Sequence, residues 1–324
     1  MFDPGAESEL GVSLALVALH RGEVVTERYG RQPDSPFGPG EQLSAESTLI
    51  SWSMAKSITH ALVGICVADG LLDPAAPAPV AAWAGDARSG ITLQHLLTMT
   101  SGLHFVEDYV DGEVSHVIDM LFGDGKDDVA AYAASRPLEA APGTKWSYSS
   151  GTTNIVCRIV GDAIAPTYGT GEPGMRAFMQ ERLFGPLGMA SAEPKFDTAG
   201  TFVGSSFVYA TARDFARFGD LYRHDGVWNG NRLLPAGWVD HARTPTPVPD
   251  TEAFGYGAHW WLWNDEPRSL ACHGYEGQRT IVVPERELVL VRLGKTPAEQ
   301  GPNVDALLSQ VLGCFTPLAG SASK

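Results

Sequence analysis

The chain has 324 residues, enough for one large domain or two closely packed lobes around a buried core. Apolar residues make up 44% and charged residues 19%, which excludes a disordered or fibrous class. The net charge of −15 argues against nucleic acid and anionic membrane surfaces as partners.

The N-terminal stretch MFDPGAESELG lacks a basic segment followed by an apolar core, so no secretory signal is expected. No apolar run reaches the ~18 residues of a membrane span. Cys66, Cys157, Cys272 and Cys314 are far apart and form no CxxC, and Cys66 and Cys157 fall on apolar faces of expected helices. They read as free thiols, and the compartment expected is the cytoplasm.

In chain order, VSLALVALHRGEVVTERYG (12–30) predicts two strands around His20–Glu23, followed by a Pro/Gly-rich loop over 31–42. A helix is expected from about residue 54 to Gly70, then a Pro-rich connection over 71–79. Short helices are expected within 91–102, at 115–122 and at 126–135, and an irregular approach over 138–151 leads to a helix at 152–164. Helices at 174–184 and 211–224 follow, the latter starting at the box TARD. Segments 255–263, 277–284 and 287–294 read as strands, and 302–314 as a terminal helix with a polar tail. Strands at both ends and helices between predict an α+β fold, with a mostly antiparallel sheet flanked by helices and an all-helical lobe beside it. The α/β lobe would comprise 1–75 and 205–324 and the helical lobe 76–204, with a cleft between them.

The candidate chemistry starts at ISWSMAKSIT (50–59). Ser53 and Lys56 are three residues apart at a helix start, hence on one face. Ser53 is either a helix cap with Lys56 solvated, or a nucleophile with Lys56 as its base. The second role needs a lysine whose pKa is lowered from ~10.4 by burial or by a neighbouring cation. Spacing alone is weak evidence, since Ser321 and Lys324 repeat it in the tail. Tyr148, in KWSYSSGTTN just ahead of a helix, is a candidate to share a proton with the lysine, and Ser150 lies on the same side. CHGYEGQ (272–278) offers glycines for close backbone approach and His273 to bind a carboxylate.

Ser53-Met54-Ala55-Lys56, Tyr148-Ser149-Ser150 and His273-Gly274 come in the order of the SxxK, YxN and KTG/HTG motifs of the serine β-lactamase and penicillin-binding protein superfamily, which this sequence resembles. LQHLLTMTSGL (93–103), PGTKWSYSSG (142–151), PLGM (186–189), ATARDFARFG (210–219) and NGNRLLPAGWV (229–239) are similar to its class C β-lactamase-related branch over roughly 12–315. The resemblance implies a β-lactamase/transpeptidase-like fold and an acyl-Ser53 intermediate with Lys56 and Tyr148 as general base and acid. It implies no cofactor and no metal. The oxyanion hole would be the N–H of Ser53 and one N–H near 277–279, so Gly277 and Gln278 join Ser150 and His273 as substrate-binding candidates. No role falls to an acidic residue, which leaves Glu276 unassigned.

The departures bear on substrate. Ser150 stands where the family has asparagine, His273 where it has lysine, and Tyr275 where it has glycine. They argue against an efficient β-lactamase and for a resemblance to family VIII carboxylesterases and 6-aminohexanoate-dimer hydrolases. The expected partner is a small-molecule ester or amide, with neither nucleic acid nor membrane; a homodimer is left open. The competing readings are a D-aminoacyl or D-Ala peptidase, a weak β-lactamase, and a non-catalytic penicillin-binding-like sensor. LHFVEDYVDGEV (103–114) and Trp260, Trp261 and Trp263 are candidates to line the cleft, with core packing the competing account of the tryptophans. Glu107, Asp108 and Asp111 would face a cationic amine, or form a solvated acidic loop.

Overall fold

The apolar runs VSLALVALH and LVLVRLGK are too continuous for strands with one wet face. In the computed structural model they lie side by side at the heart of a sheet. The structure describes residues 1–318 apart from residues 4, 37, 110–113, 249–253, 264 and 265; Asp111 and the Ser321–Lys324 repeat lie outside the described residues. The sheet is antiparallel and five-stranded: β1 (Val12–His20), β2 (Glu23–Tyr29), β3 (Leu270–Gly274), β4 (Gln278–Val283) and β5 (Leu288–Lys295), in the order β2-β1-β5-β4-β3. The N-terminal hairpin thus pairs with the C-terminal strands, Leu16 opposite Arg292 and Ala18 opposite Leu290. The outer strand β2 carries Glu23, Glu27 and Arg28, charges that oppose edge-to-edge pairing.

Four longer helices complete the frame: α1 (Ala55–Ala68), α2 (Ser150–Tyr168), α3 (Ala212–Arg223) and α4 (Gly301–Gly313). One sheet face, with Val17, Leu19, Val289 and Val291, belongs to the main core together with Phe215 and Phe218 of α3. A Cβ at Gly219 would stand 2.6 Å from Val289 Cγ1, so only glycine lets α3 lie this close to the sheet. The other face, with Ala18, Ile281, Leu288 and Leu290, is covered by Val304, Leu308 and Leu312 of α4. Helix α1 is buried without a break from Ala55 to Cys66, its polar Lys56, Ser57, Thr59 and His60 included.

Helix α2 is longer than 152–164. Ser149 Oγ accepts the Thr152 N–H at 3.1 Å, which starts the helix at Ser150, and Pro166 removes a single backbone donor in its last turn. Segment 255–263 is not a regular strand. Isolated bridges join Tyr256 to Trp261 and Trp261 to Ala271, and His259 at φ +55° reverses the extended path between them. Conversely, the CHG motif ends a true strand, β3. Cys66, Cys157 and Cys272 are buried free thiols, and Cys314 is exposed. Among the described residues no helix is long and apolar enough to cross a membrane.

Candidate active site

Ser53 lies in the 3-10 turn Trp52–Met54 that leads into α1. The turn is tied down from one side: the Ser51 N–H donates to Val208 O at 2.8 Å, and the Val208 N–H donates to Ser51 Oγ at 3.1 Å. Trp52 takes φ +45°, a costly conformation for a bulky side chain, directly before Ser53. The capping role weighed for Ser53 is not adopted, because α1 is capped at Met54 with no side-chain bond.

Lys56 Nζ donates to Ser53 Oγ at 3.0 Å, to Ser150 Oγ at 2.9 Å and to Ser205 O at 2.9 Å. Those are the three donors of an ammonium group, all satisfied. Lys56 is 2% exposed, and burial pulls its pKa down to about 8 against the opposing pull of Glu107. Tyr148 closes the other side. Its ring centroid is 4.8 Å from Lys56 Nζ, and its hydroxyl shares a hydrogen bond with Ser53. Burial, followed by Tyr256 and Glu107, holds the phenol well above its ordinary pKa, so it stays protonated. Trp261 backs Tyr148, with ring centroids 5.3 Å apart, while Trp260 and Trp263 are core residues at 0% and 1% exposure.

The loop 103–109 brings an unexpected carboxylate to the site. Glu107 Oε1 accepts from Ser150 Oγ at 2.5 Å, and Oε2 accepts the Ser150 N–H at 2.8 Å, at the positive end of α2. The Tyr109 hydroxyl also bonds to it. Burial raises the Glu107 pKa, and Lys56 is the first of the groups pulling it back. Glu107 therefore points at Ser150 rather than at a substrate amine, while Asp108 is exposed. Ser150, expected to touch substrate, is 0% exposed and held between Lys56 and Glu107.

The remaining expectations separate. His273 stacks on Trp261 at 5.3 Å with Phe254 edge-on at 4.9 Å, and its Nε2 is buried with no partner among the described residues. Burial, then Arg279, keeps its pKa well below the ordinary value, so it offers no cation to a carboxylate. Gly277 and Gln278 are held by internal bonds. The Gln278 amide donates to Gly294 O at 2.6 Å and accepts the Gly294 N–H at 2.9 Å, a purely internal bracket. Arg292 Nη1 lies beneath Gly277, donating to its carbonyl at 3.0 Å. Gly277 ends the turn before β4 and Gln278 opens β4, which is paired on both sides, by Gly274 at Gln278 and by His273 and Arg292 at Arg279.

The strand beside the Ser53 turn is β3. A Cβ at Gly274 would lie 2.4 Å from Ser51 O, so glycine permits this contact. Ala271 exchanges both backbone bonds with Trp261 at 2.9 Å across the outer edge. Successive residues alternate, so the peptide groups of His273 and the N–H of Tyr275 face outward along the same edge. Beyond them, aromatic rings run in contact from Tyr109 to Tyr275 (5.1 Å), Trp52 (5.7 Å), Phe207 (5.8 Å) and Phe122 (6.2 Å). Phe122 is 57% and Tyr275 45% exposed.

Ser205 and Asn154 also escaped assignment from sequence. The Ser205 N–H donates to Asn154 Oδ1 at 3.2 Å, which aims the Ser205 carbonyl at Lys56. Asn154, one helical turn after Ser150, was the available signal.

Known proteins are similar to this chain over most of its length. The profile of the family described as Beta-lactamase matches residues 2–311. A 6-aminohexanoate-dimer hydrolase of Paenarthrobacter ureafaciens is 26% identical over 317 residues, covering 92% of this chain and 76% of that protein. A solved structure from Bacillus anthracis, provisionally named a 6-aminohexanoate-dimer hydrolase, superposes with a TM-score of 0.78 at 20% identity, covering 95% of this chain and 80% of the other. The structure of a family VIII carboxylesterase gives a TM-score of 0.70 at 14% identity, covering 92% of each chain. The chain belongs to the beta-lactamase family of hydrolases and has the β-lactamase/transpeptidase-like fold.

Proposed function

We propose that the protein is a serine hydrolase of esters and small linear amides, working through an acyl-Ser53 intermediate in the cleft between an α/β lobe (1–75, 205–324) and a helical lobe (76–204). The observation that carries this reading is the 3.0 Å bond between Ser53 Oγ and a fully buried Lys56. Lys56 as neutral amine takes the Ser53 proton as Oγ attacks the carbonyl carbon. Tyr148, held protonated, gives its proton to the leaving oxygen or nitrogen and recovers one from Lys56; water then cleaves the ester by the reverse path. The Ser53 N–H and the outward N–H of Tyr275 stabilise the oxyanion.

Three features favour esters and linear amides over β-lactams. Ser150 is engaged by Lys56 and Glu107, His273 is buried among aromatics, and the free edge of β3 suits an extended chain. The aromatic wall from Trp52 to Phe122 favours an apolar or aryl substituent on the acyl side. The test is hydrolysis of p-nitrophenyl butyrate, the linear 6-aminohexanoate dimer and nitrocefin, with Ser53→Ala as control. Ester or dimer turnover without nitrocefin turnover is expected. Nitrocefin turnover alone refutes the substrate class, and activity retained by Ser53→Ala refutes the mechanism.

A further inference from the structure

The fully donated Lys56 raises a chemical difficulty. An ammonium group whose three protons point at Ser53 Oγ, Ser150 Oγ and Ser205 O has no lone pair for the Ser53 proton. The proton that must leave has one continuous exit. Ser150 Oγ accepts from Lys56 at 2.9 Å and donates to Glu107 Oε1 at 2.5 Å. Of the other two acceptors, Ser205 O is a backbone carbonyl, and Ser53 Oγ leads only to the Tyr148 hydroxyl, which burial holds protonated.

We propose that Glu107 is the proton reservoir that arms Lys56, acting through the Ser150 hydroxyl. Lys56 passes one proton to Ser150 Oγ while Ser150 passes its own hydroxyl proton to Glu107 Oε1. The pair goes from ammonium and carboxylate to amine and carboxylic acid. No bond other than O–H and N–H changes, no net charge appears, and no co-reactant is needed. Burial favours the neutral pair, because it disfavours both ions at once. The ionisable groups facing the pair are Tyr109, Tyr148 and Tyr256 around Glu107, and Cys157 and His259 around Lys56. Burial holds the three phenols, the Cys157 thiol and the His259 imidazole neutral near pH 7, which leaves Glu107 as the acceptor. Glu107 is thus a positioning residue that works on Lys56 and does not touch substrate.

This inference rests on Ser53 being the nucleophile, so the test reads Ser53 directly. The rate of fluorophosphonate labelling of Ser53 is followed by mass spectrometry from pH 5 to 10 in the wild type, Glu107→Gln, Ser150→Ala and the double variant. Without the relay, Lys56 must lose its proton to solvent; Ser150→Ala keeps the Glu107 charge that raises the Lys56 pKa, so its acid limb moves to higher pH, whereas Glu107→Gln also removes that charge and its limb moves less. Ser150→Ala should label about tenfold more slowly at pH 6 and converge towards the wild type near pH 9, Glu107→Gln should lose less at pH 6, and the double variant should be no worse than Ser150→Ala. Ser150→Ala is a small change at a buried position and answers the question if Glu107→Gln fails to fold. An equal loss at every pH, or additive losses, means a structural role and overturns the relay. No labelling of Ser53 in the wild type overturns the nucleophile assignment, and the relay with it.

Discussion

Lowering the pH from 7 to 4.5 should destabilise the fold chiefly through histidines held dry behind α1. His259 is 1% exposed; its Nδ1–H donates to Leu97 O at 2.8 Å, and its Nε2 faces Thr153 Oγ1 at 3.0 Å. Burial, with Lys56 and His241 adding to it against the Leu97 bond, drives its pKa down to about 3. In the unfolded chain a histidine takes its proton near ~6.5. Below that pH the unfolded state binds a proton that the folded state refuses. The stability is therefore complete above pH ~6.5 and is lost as pH falls towards about 3. At about 1.4 kcal/mol per pH unit, His259 alone costs between about 2 and 3 kcal/mol by pH 4.5. His60 and His241, joined through a 3.1 Å contact, titrate in the same window, His241 at about 4. Glu107 opposes them, because its raised pKa lets the folded state bind a proton first. Urea unfolding at pH 7.5, 6.5, 5.5 and 4.5 of the wild type and His259→Gln isolates the effect. The variant, with no imidazole to charge, should lose about 2–3 kcal/mol less than the wild type over that range. Parallel pH dependences would refute the reasoning.

Four further outcomes are expected. Ser53→Ala removes turnover of every substrate and leaves the thermal midpoint near that of the wild type, since one small side chain replaces another in a tethered turn. Tyr148→Phe lowers kcat/KM on the order of 10²–10⁴-fold, with the greater loss on amides, whose leaving group needs the proton more. Gly204→Ala puts a Cβ 2.4 Å from Thr59 Oγ1 and 2.5 Å from Cys157 Sγ. Denaturant unfolding should show a loss of about 1–3 kcal/mol, with reduced activity as the neighbouring Ser205 carbonyl is displaced. Phe122→Ala, at the outer end of the aromatic wall, lowers kcat/KM for aryl and long-chain acyl esters about threefold to tenfold and leaves acetyl esters unchanged; a flat chain-length profile counts against the wall as an acyl subsite.

How far the site could be read from sequence follows from the range of each constraint. Ser53 and Lys56 were legible because helical periodicity fixes residues three apart on one face, whatever the rest of the chain does. Tyr148 needed the order of three motifs, since a tyrosine before a helix has many uses. The sheet was legible as apolar runs, but which strand would lie at the edge was not. The order β5-β4-β3 depends on pairing between whole strands, so the sequence pointed to an oxyanion N–H near 277–279 and gave no sign that β3 would lie at the edge. The aromatic content of 255–263 imitates a strand, and His259 at φ +55° interrupts it in a turn that Gly257 opens, its N–H donating to Trp260 O at 2.9 Å. Glu107 was the hardest. In VEDYVDGE it is one acid among several, and composition favours a solvated loop. Its role arises because the fold sets that loop against the first turn of α2, where Ser150 lies 43 residues further along the chain. A single carboxylate there meets two donors of Ser150, a helix N-terminus and a buried ammonium group one hydroxyl away, an environment that no local pattern encodes. The spacing that sets the serine beside its lysine is local, whereas the carboxylate one hydroxyl behind that lysine is supplied by tertiary structure.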